Sequence, residues 1–389
     1  MIPIDPSTHP SEPDASASHP GAPDASAPHP RPSHPHPRRP APGAVPPRVR
    51  WAALALLPIL AASILAATSL GAAAIPLDEA SGYTWAAITG AHLPREQFTD
   101  YTVVTSIRLP RALLAALVGA GLGALGVAAQ AMVRNPLADP FILGISSGAS
   151  VGAAAVIALG ALASWGVYGL SIAAFASALG ASTIVYLLAR TKEGLAPTRL
   201  ILVGVVLSFG FQGLTSAIVF FEPRGEAART VMFWLLGSLG GASWSHIPVA
   251  AGAVVITVVV LFSRARVLDV LSTGDAASLS MGINPKTVRT QLFVLVALGT
   301  GVLVAVSGTI GFVGLVIPHI VRMVVGPAHR AMVVLAPLIG AILLVWVDVF
   351  SRSIVPPREL PIGVVTALLG VPIFVLIIRS SRYVYGGSR

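Results

Sequence analysis

Ten apolar runs, each near the length of one bilayer crossing, occupy this chain from Trp51 to Ile378 and leave it few ways to fold. A crossing helix needs about 20 residues, at about 1.5 Å rise each, to cover about 30 Å of hydrocarbon. The runs are 51–74, 112–132, 141–161, 167–189, 199–220, 246–263, 290–307, 311–325, 331–350 and 361–378. Two boundaries follow from length alone. Phe141 to Leu188 carries no charge and is twice a span, so it must fold back, near Trp165-Gly166. Gln291 to Val321 is one and a half spans and is interrupted by Gly308, Gly311, Gly314 and Pro318. Charged residues make up 11% of the chain, against about 25% in a soluble domain. The mean hydropathy is +0.81. These features read as an all-α polytopic membrane protein of about ten transmembrane helices, with the lipid bilayer as its solvent.

The net charge of +9 does not make a nucleic-acid groove. Lys192 and Lys286 are the only lysines, and the arginines lie scattered at the ends of apolar runs rather than clustered on one face. Span ends are where membrane topology places basic residues. With the N-terminus taken as cytosolic, Arg48, Arg50, Arg134, Arg190, Lys192, Arg199, Arg264, Arg266, Lys286, Arg289, Arg322, Arg330, Arg379, Arg382 and Arg389 fall inside. Arg95, Arg108, Arg111, Arg224, Arg229, Arg352 and Arg358 fall outside. The bias follows the positive-inside rule and puts both termini in the cytosol, in a cytoplasmic or plasma membrane.

Residues 1–50 are another material: rich in Pro, Ser, Ala and His, with a repeated unit, SEPDASASHP at 11–20 and GAPDASAPHP at 21–30. Such a segment buries too little surface to offset its ordering entropy, so it reads as a disordered cytosolic tail ahead of a permease domain at 51–389. Its histidines, His9, His19, His29, His34 and His36, are read as low complexity rather than a metal site. The outer segment 75–107 is long enough to lie on the membrane surface. The longest inner connection, 264–289, reads as a short helix started by Ser272 or Thr273 near Asp275, a Gly-Ile-Asn-Pro turn and a basic entry to the next span. Polarity alone leaves it either a docking surface or a solvated connector.

The chain lacks the residues that chemistry needs. Neither lysine follows a glycine, so there is no phosphate-cradling loop, and ATP-driven work would need another chain. There is no His-Glu-x-x-His, no Gly-x-Ser-x-Gly and no cysteine, and Ser146-Ser147-Gly148 has no nearby base. No catalytic residue, metal site or cofactor is expected. Asp348 is the only acid within an apolar run, and Arg352, one turn on, is its expected partner. An ion-coupled carrier would place several carboxylates in its spans, because a charge at mid-span costs about 2.5–3.5 kcal/mol and is kept only for use. A membrane-embedded enzyme would cluster acids or histidines. Neither pattern is present. His319, in Val316-Ile317-Pro318-His319, reads as a packing residue at a broken helix. Gly119, Gly121, Gly123 and Gly126 read as a close-packed helix face.

Several ordered motifs then coincide. They are Arg108-Leu109-Pro110-Arg111; Gln130; Arg134-Asn135-Pro136-Leu137-Ala138-Asp139-Pro140; and Leu143-Gly144-Ile145-Ser146-Ser147-Gly148-Ala149. Further along come Trp234-Leu235-Leu236-Gly237-Ser238-Leu239, Phe312-Val313-Gly314 through Pro318-His319 to Arg322, and Glu359-Leu360-Pro361-Ile362-Gly363. Together they resemble the permease subunits of ABC importers for iron–siderophores, haem and cobalamin, over about residues 75–385.

The resemblance implies a BtuC-like permease fold, a second permease copy or paralogue, two ATP-binding subunits and an extracytoplasmic substrate-binding protein. It implies that 268–285 couples to the ATPase, through Gly274, Asp275, Ala277, Ser278, Met281 and Gly282, as a coupling helix pair. Departures lie at Ala276 and Leu279, where the family usually has an acid and often an arginine, and at Pro327-Ala328. The resemblance also implies that Arg108, Arg111 and Arg352 meet acids of the binding protein, a role suited to bidentate guanidinium forks; the alternative is that they anchor span ends. Gln130, Asn135, Pro136, Asp139, Pro140, Gly144, Gly148, Gly314, Pro318 and His319 are expected to shape turns and packing. An iron–siderophore is the expected cargo because that group dominates the family; haem and cobalamin permeases share the motifs.

Overall fold

A computed structural model describes residues 45–380 except 72, 92, 193, 223 and 224. The chain divides into units Met1–Ala41 and Pro42–Arg389; most of the proposed tail, with its histidines, lies outside the described residues. The order is α1 (Pro47–Ser69), α2 (Leu77–Thr89), α3 (Phe98–Thr102), α4 (Leu109–Val133), α5 (Ile145–Leu159), α6 (Gly169–Ala189) and α7 (Pro197–Phe220). It continues α8 (Glu226–Leu235), α9 (His246–Ser272), α10 (Asp275–Ser280), α11 (Pro285–Ser307), α12 (Val313–Val325), α13 (His329–Ser353) and α14 (Ile362–Ser380).

Among the described residues, seven helical stretches are long and apolar enough to cross a membrane, and α5, α12 and α14 are shorter apolar helices. Together they match the ten runs, including the fold-back at 160–168 and the break at 308–312. Because the ten alternate in direction, Pro47 and Ser380 lie at the same end of the bundle. That end also holds α10 and is called the α10 end; the opposite one is the Arg108 end.

Four boundaries differ from the sequence reading. The first helix begins at Pro47, which suits the first helical turn because it has no N–H to satisfy. The stretch before α4 is helical from Arg95 and runs unbroken to Val133, through a π-turn at Val103–Arg108. Hydropathy missed it because this stretch is polar while its helicity continues. Helix α9 extends past the apolar run to Ser272. The Ser272 and Thr273 hydroxyls donate back to the Asp269 and Val270 carbonyls, so they finish α9 rather than start the next helix. One helix, α10, and not a pair, stands between α9 and α11 among the described residues.

Helix α4 is the axis, packing on α1, α9, α11, α12 and α13, and 83% of its most apolar window is buried. Its glycines decide this. A Cβ on Gly119 would stand 2.2 Å from the Gly340 carbonyl oxygen, and one on Gly126 2.0 Å from that of Gly314. Backbones that close gain the dispersion contacts that association inside a bilayer depends on.

Helices α5 and α12 have 15 and 13 residues, about 20 Å for the shorter, against about 30 Å of hydrocarbon. Each starts from a loop that enters the bundle. The Pro140 ring abuts Gly314, 2.6 Å from where a Cβ would be, and the Ile142 carbonyl reaches Gly204 of α7. Non-helical backbone at such depth is tolerated only where protein covers it or water reaches it. Here protein covers it.

Candidate functional site

Two charged clusters cap the bundle, with a polar joint between them. At the Arg108 end, Arg111 lies one residue past Pro110 on the first turn of α4. Its Nε donates to Asp348 Oδ1 at 2.9 Å, and its Nη1 and Nη2 donate to the two Glu359 oxygens at 2.9 Å each. Arg352 stands 3.4 Å from Asp348 and donates to the Ala67 carbonyl at 2.5 Å. Arg108 donates to the carbonyls of Thr68 (3.0 Å), Ser69 (2.8 Å) and Ala73. Each arginine is 6% exposed.

Asp348 pairs with Arg352 one turn away, as expected, at 3.4 Å, and more closely with Arg111, across 237 residues of chain, at 2.9 Å. The donors of the three guanidiniums reach the frayed carbonyls that end α1 and two carboxylates within the subunit. Among the described residues, the exposed cations at this end are Arg95, Arg229 and Arg358, and the exposed carboxylates include Asp78, Glu79, Glu96, Asp100, Glu226 and Glu359.

Beside this cluster, the motifs 234–239 and 359–363 are sewn by backbone to each other and to the break after α11. Ser238 N donates to Ser307 O, Ile362 N to Gly237 O and Gly363 N to Leu236 O. The Thr309 hydroxyl reaches the Leu235 carbonyl. Gly237, at φ +75°, makes the turn. A recess of about 650 Å³ opens next to it, lined by Trp234, Phe233, Thr230, His246 and the hydroxyls of Ser171, Ser238, Ser243, Ser245 and Ser307.

In the α10-side half, Gln130 joins two helices. Its amide nitrogen donates to the Leu315 carbonyl at 3.1 Å and its oxygen accepts from Arg322 at 2.9 Å. Asp139 caps the 3-10 turn Pro140–Leu143 by accepting from Phe141 N at 2.9 Å. Burial pushes its carboxyl up to about 6, against the pull of that N–H. Asn135 closes the preceding turn on Leu137 N at 2.9 Å, with Pro136 inside it. Gly144, at φ +71°, ends the 3-10 turn. Gly148 receives Ala181, 2.2 Å from where its Cβ would be. His319, following Pro318 in α12, is 4% exposed and meets the Phe374 ring edge-on at 6.4 Å. Gln130 and Pro140 therefore meet α12 at one joint around Gly314 and Leu315, while Gly148 packs on α6 and His319 on α14.

At the α10 end, Asp275 opens α10 and is gripped by Arg289 of α11 through both carboxylate oxygens, at 2.8 and 2.6 Å, with Arg134 at 3.4 Å. The Arg289 hydrogen bonds hold the carboxyl below the usual carboxylate range. Ser278 is fully buried, and its hydroxyl donates to the carbonyls of Gly274 (2.7 Å) and Val270 (3.1 Å). Gly274, at φ +119°, and Gly282, at φ +76°, turn the chain into and out of α10. Ala277 is half-buried, while Leu279 and Met281 are each 60% exposed. The six-residue helix and its C-cap, Met281, thus carry two apolar side chains out from the bundle. Asp269 of α9 caps α13 by accepting from His329 N (2.9 Å) and Nδ1 (2.7 Å). The sequence reading gave no role to Arg289, Arg322, Glu359 or Asp269. Their partners are far off in the chain, and only the position of Arg289 just past the Asn284-Pro285 turn was a signal.

The profile of the FecCD transport family matches residues 56–380. The chain belongs to that family. It is 38% identical over 342 residues to the cobalamin import system permease protein BtuC of Halobacterium salinarum, covering 87% of this chain and 90% of that one. It is equally 38% identical, over 287 residues, to the iron(3+)-hydroxamate import system permease protein FhuB of Bacillus subtilis, covering 73% of each. A solved metal-chelate type ABC transporter in an inward-facing conformation superposes with a TM-score of 0.74 at 29% identity, over 85% of this chain and all of that one. The expected fold is thereby established: a multi-pass, BtuC-like ABC permease, a transport subunit of the family. Among the described residues of this FecCD permease, the buried carboxylate Asp348 and the guanidiniums of Arg111, Arg289 and Arg352 sit in ion pairs towards the two ends.

Proposed function

We propose that this chain is the permease subunit of an ABC importer that carries an iron chelate of the siderophore kind across the cytoplasmic membrane. ATP hydrolysis on two separate subunits drives it, and a second permease copy or paralogue completes the pathway. The N-terminus, the C-terminus and α10 are cytosolic. Permease relatives named for iron(3+)-hydroxamate and for cobalamin are equally identical to this chain, so identity does not select the cargo. The chelate reading follows the weight of the family.

The observation that carries the coupling is α10 itself. Its Asp275–Arg289 grip and buried Ser278 fix the helix, and Leu279 and Met281 project from it. An apolar knob on a braced stub transmits displacement because the packed contacts behind it are bistable rather than soft. Leu279 stands where the family often has arginine, which makes this knob more apolar. At the Arg108 end, the substrate-binding protein meets exposed Arg95, Arg229 and Arg358, with Arg108, Arg111 and Arg352 holding the platform beneath.

The test is uptake of radiolabelled ferric hydroxamate, haem and cobalamin by a strain lacking this permease, complemented with the wild type or with Leu279→Glu. Ferric hydroxamate accumulation in the wild type, abolished in the variant together with its stimulation of the ATPase, is expected. Accumulation of haem or cobalamin alone reassigns the cargo. Unaltered ATPase stimulation in the variant removes α10 from the coupling.

A further inference from the structure

Both lysines of the chain meet at the α10 end, away from α10. Lys286, on the first turn of α11, donates from Nζ to the Lys192 carbonyl at 3.1 Å. Its stem lies over Gly194, where φ is +113° and a Cβ would come within 2.7 Å of Lys286 Cγ. Arg190, just past α6, and Arg199, in the first turn of α7, complete a set of four cations around an open recess of about 690 Å³. All four are exposed, and among the described residues none has an ion pair. Glu193, the one acid in this stretch of sequence, lies outside the described residues.

Four exposed cations alone would be a solvated face. A second feature adjoins them. On the same two helices an apolar groove of about 440 Å³ runs between α6 and α11, lined by Leu179, Tyr186, Phe293, Val294, Ala297 and Leu298. Tyr186 marks the border: its ring lies 5.4 Å from that of Phe293, and the Arg190 guanidinium sits 5.9 Å over it. An aromatic with one apolar and one charged neighbour is what the headgroup level of a bilayer selects. From Leu179 to Arg190 the helix rises about 16 Å, and one leaflet's share of the hydrocarbon is about 15 Å.

We propose that recess and groove together form a site for one anionic phospholipid. Lys286, Arg190, Arg199 and Lys192 hold its phosphate, and an acyl chain fills the α6–α11 groove. The N-termini of α7 and α11, at Pro197 and Pro285, add partial positive charge. Basic pockets between helices at a membrane surface recognise lipid headgroups by this chemistry. Because α11 follows α10 directly, the lipid braces the helix that receives the coupling motion. Placing the site in the cytosolic leaflet rests on the topology proposed above; the lipid assignment does not.

The test titrates the full-length permease in mild detergent with phosphatidylglycerol, or with phosphatidylcholine of the same chains, and reads bound lipid by native mass spectrometry. Phosphatidylglycerol is expected to bind more tightly, and Arg190→Gln with Lys286→Gln to weaken it about thirtyfold, roughly fivefold per charge. Val294→Trp with Leu298→Trp fills the groove and is expected to reduce binding without touching the charges. Size-exclusion profiles verify folding, and the exposed glutamine substitutions carry the test if the tryptophan ones misfold.

Unchanged phosphatidylglycerol binding in the glutamine variant overturns the proposal. So does displacement by inorganic phosphate with no effect of the tryptophans, which would mark a free-phosphate site. Retained lipid with weakened ATPase association also overturns it, marking a protein contact. The chain has no cysteine, so Thr191→Cys labelled by an impermeant maleimide on whole cells reads the leaflet separately. Labelling there overturns the topology and leaves the lipid result standing.

Discussion

The two ends of this permease use the same chemistry, arginine against carboxylate, to opposite purpose. At the Arg108 end the central carboxylate, Asp348, is 1% exposed, and the guanidiniums around it are buried with it. At the α10 end the central carboxylate, Asp275, has a side chain 43% exposed while Arg289 behind it is 5% exposed. A buried ion cluster is costly to assemble and costlier to break, since removing one partner leaves an unpaired charge in a low dielectric. A half-exposed pair contributes little to stability. The first arrangement fixes a frame; the second positions an element without welding it to the frame. The contrast fits an end that holds and an end that moves.

Substitutions can break or sharpen that contrast. The largest effect is expected at Asp348→Asn. It leaves Arg111 with Glu359 alone and Arg352 without its carboxylate, at about 3–5 kcal/mol, read as lost thermal stability in detergent. A loss below about 1 kcal/mol would show that the Arg108 end is no more welded than the other.

Next comes Gly126→Ala, in the α10-side half of α4, where a methyl would meet the Gly314 carbonyl at 2.0 Å. Overpacking of this kind costs about 1–3 kcal/mol, and chemical denaturation is expected to show it without any change in salt dependence.

Asp139 gives a pH signature of up to about 3 kcal/mol. Its carboxyl titrates at about 6 when folded and near the ordinary value of about 3.9 unfolded. The folded chain therefore binds the extra proton between those values, and stability falls as pH rises from about 4 to about 6. Asp139→Asn keeps the cap on Phe141 and is expected to flatten that slope in a melting series.

The smallest stability effect, under about 1 kcal/mol, is expected at Asp275→Asn. Here the sign is opposite: the carboxyl is held low by Arg289, so its contribution is complete above the ordinary carboxylate range and lost as pH falls through the folded value. The same variant should nonetheless weaken ATPase stimulation. A large stability loss with intact stimulation would invert the contrast between the ends.

Legibility in the sequence followed the range of the interactions. The spans were readable because a bilayer imposes length and apolarity locally, and even the unmarked fold-back between α5 and α6 followed from length. The turn 134–144 was readable because Asn135, Asp139 and Gly144 act on neighbours two or three residues away. The starts of α1 and α4 and the end of α9 were misplaced because hydropathy reports where lipid is, whereas helices continue beyond it. The intrasubunit partners of Arg108 and Arg111, which are Asp348, Glu359 and the carbonyls of Thr68, Ser69 and Ala73, are not legible in the sequence because spacing does not pair residues so far apart.

By itself the sequence determined an all-helical membrane chain of about ten apolar segments, because a helix satisfies its own backbone hydrogen bonds across the hydrocarbon, and its ordered motifs pointed to the family. Only the tertiary structure decided which charges are buried and which are offered. A guanidinium at a helix end meets its partner through packing between helices hundreds of residues apart. The glycines of α4 set how closely those helices approach, and so which arginine reaches which carboxylate.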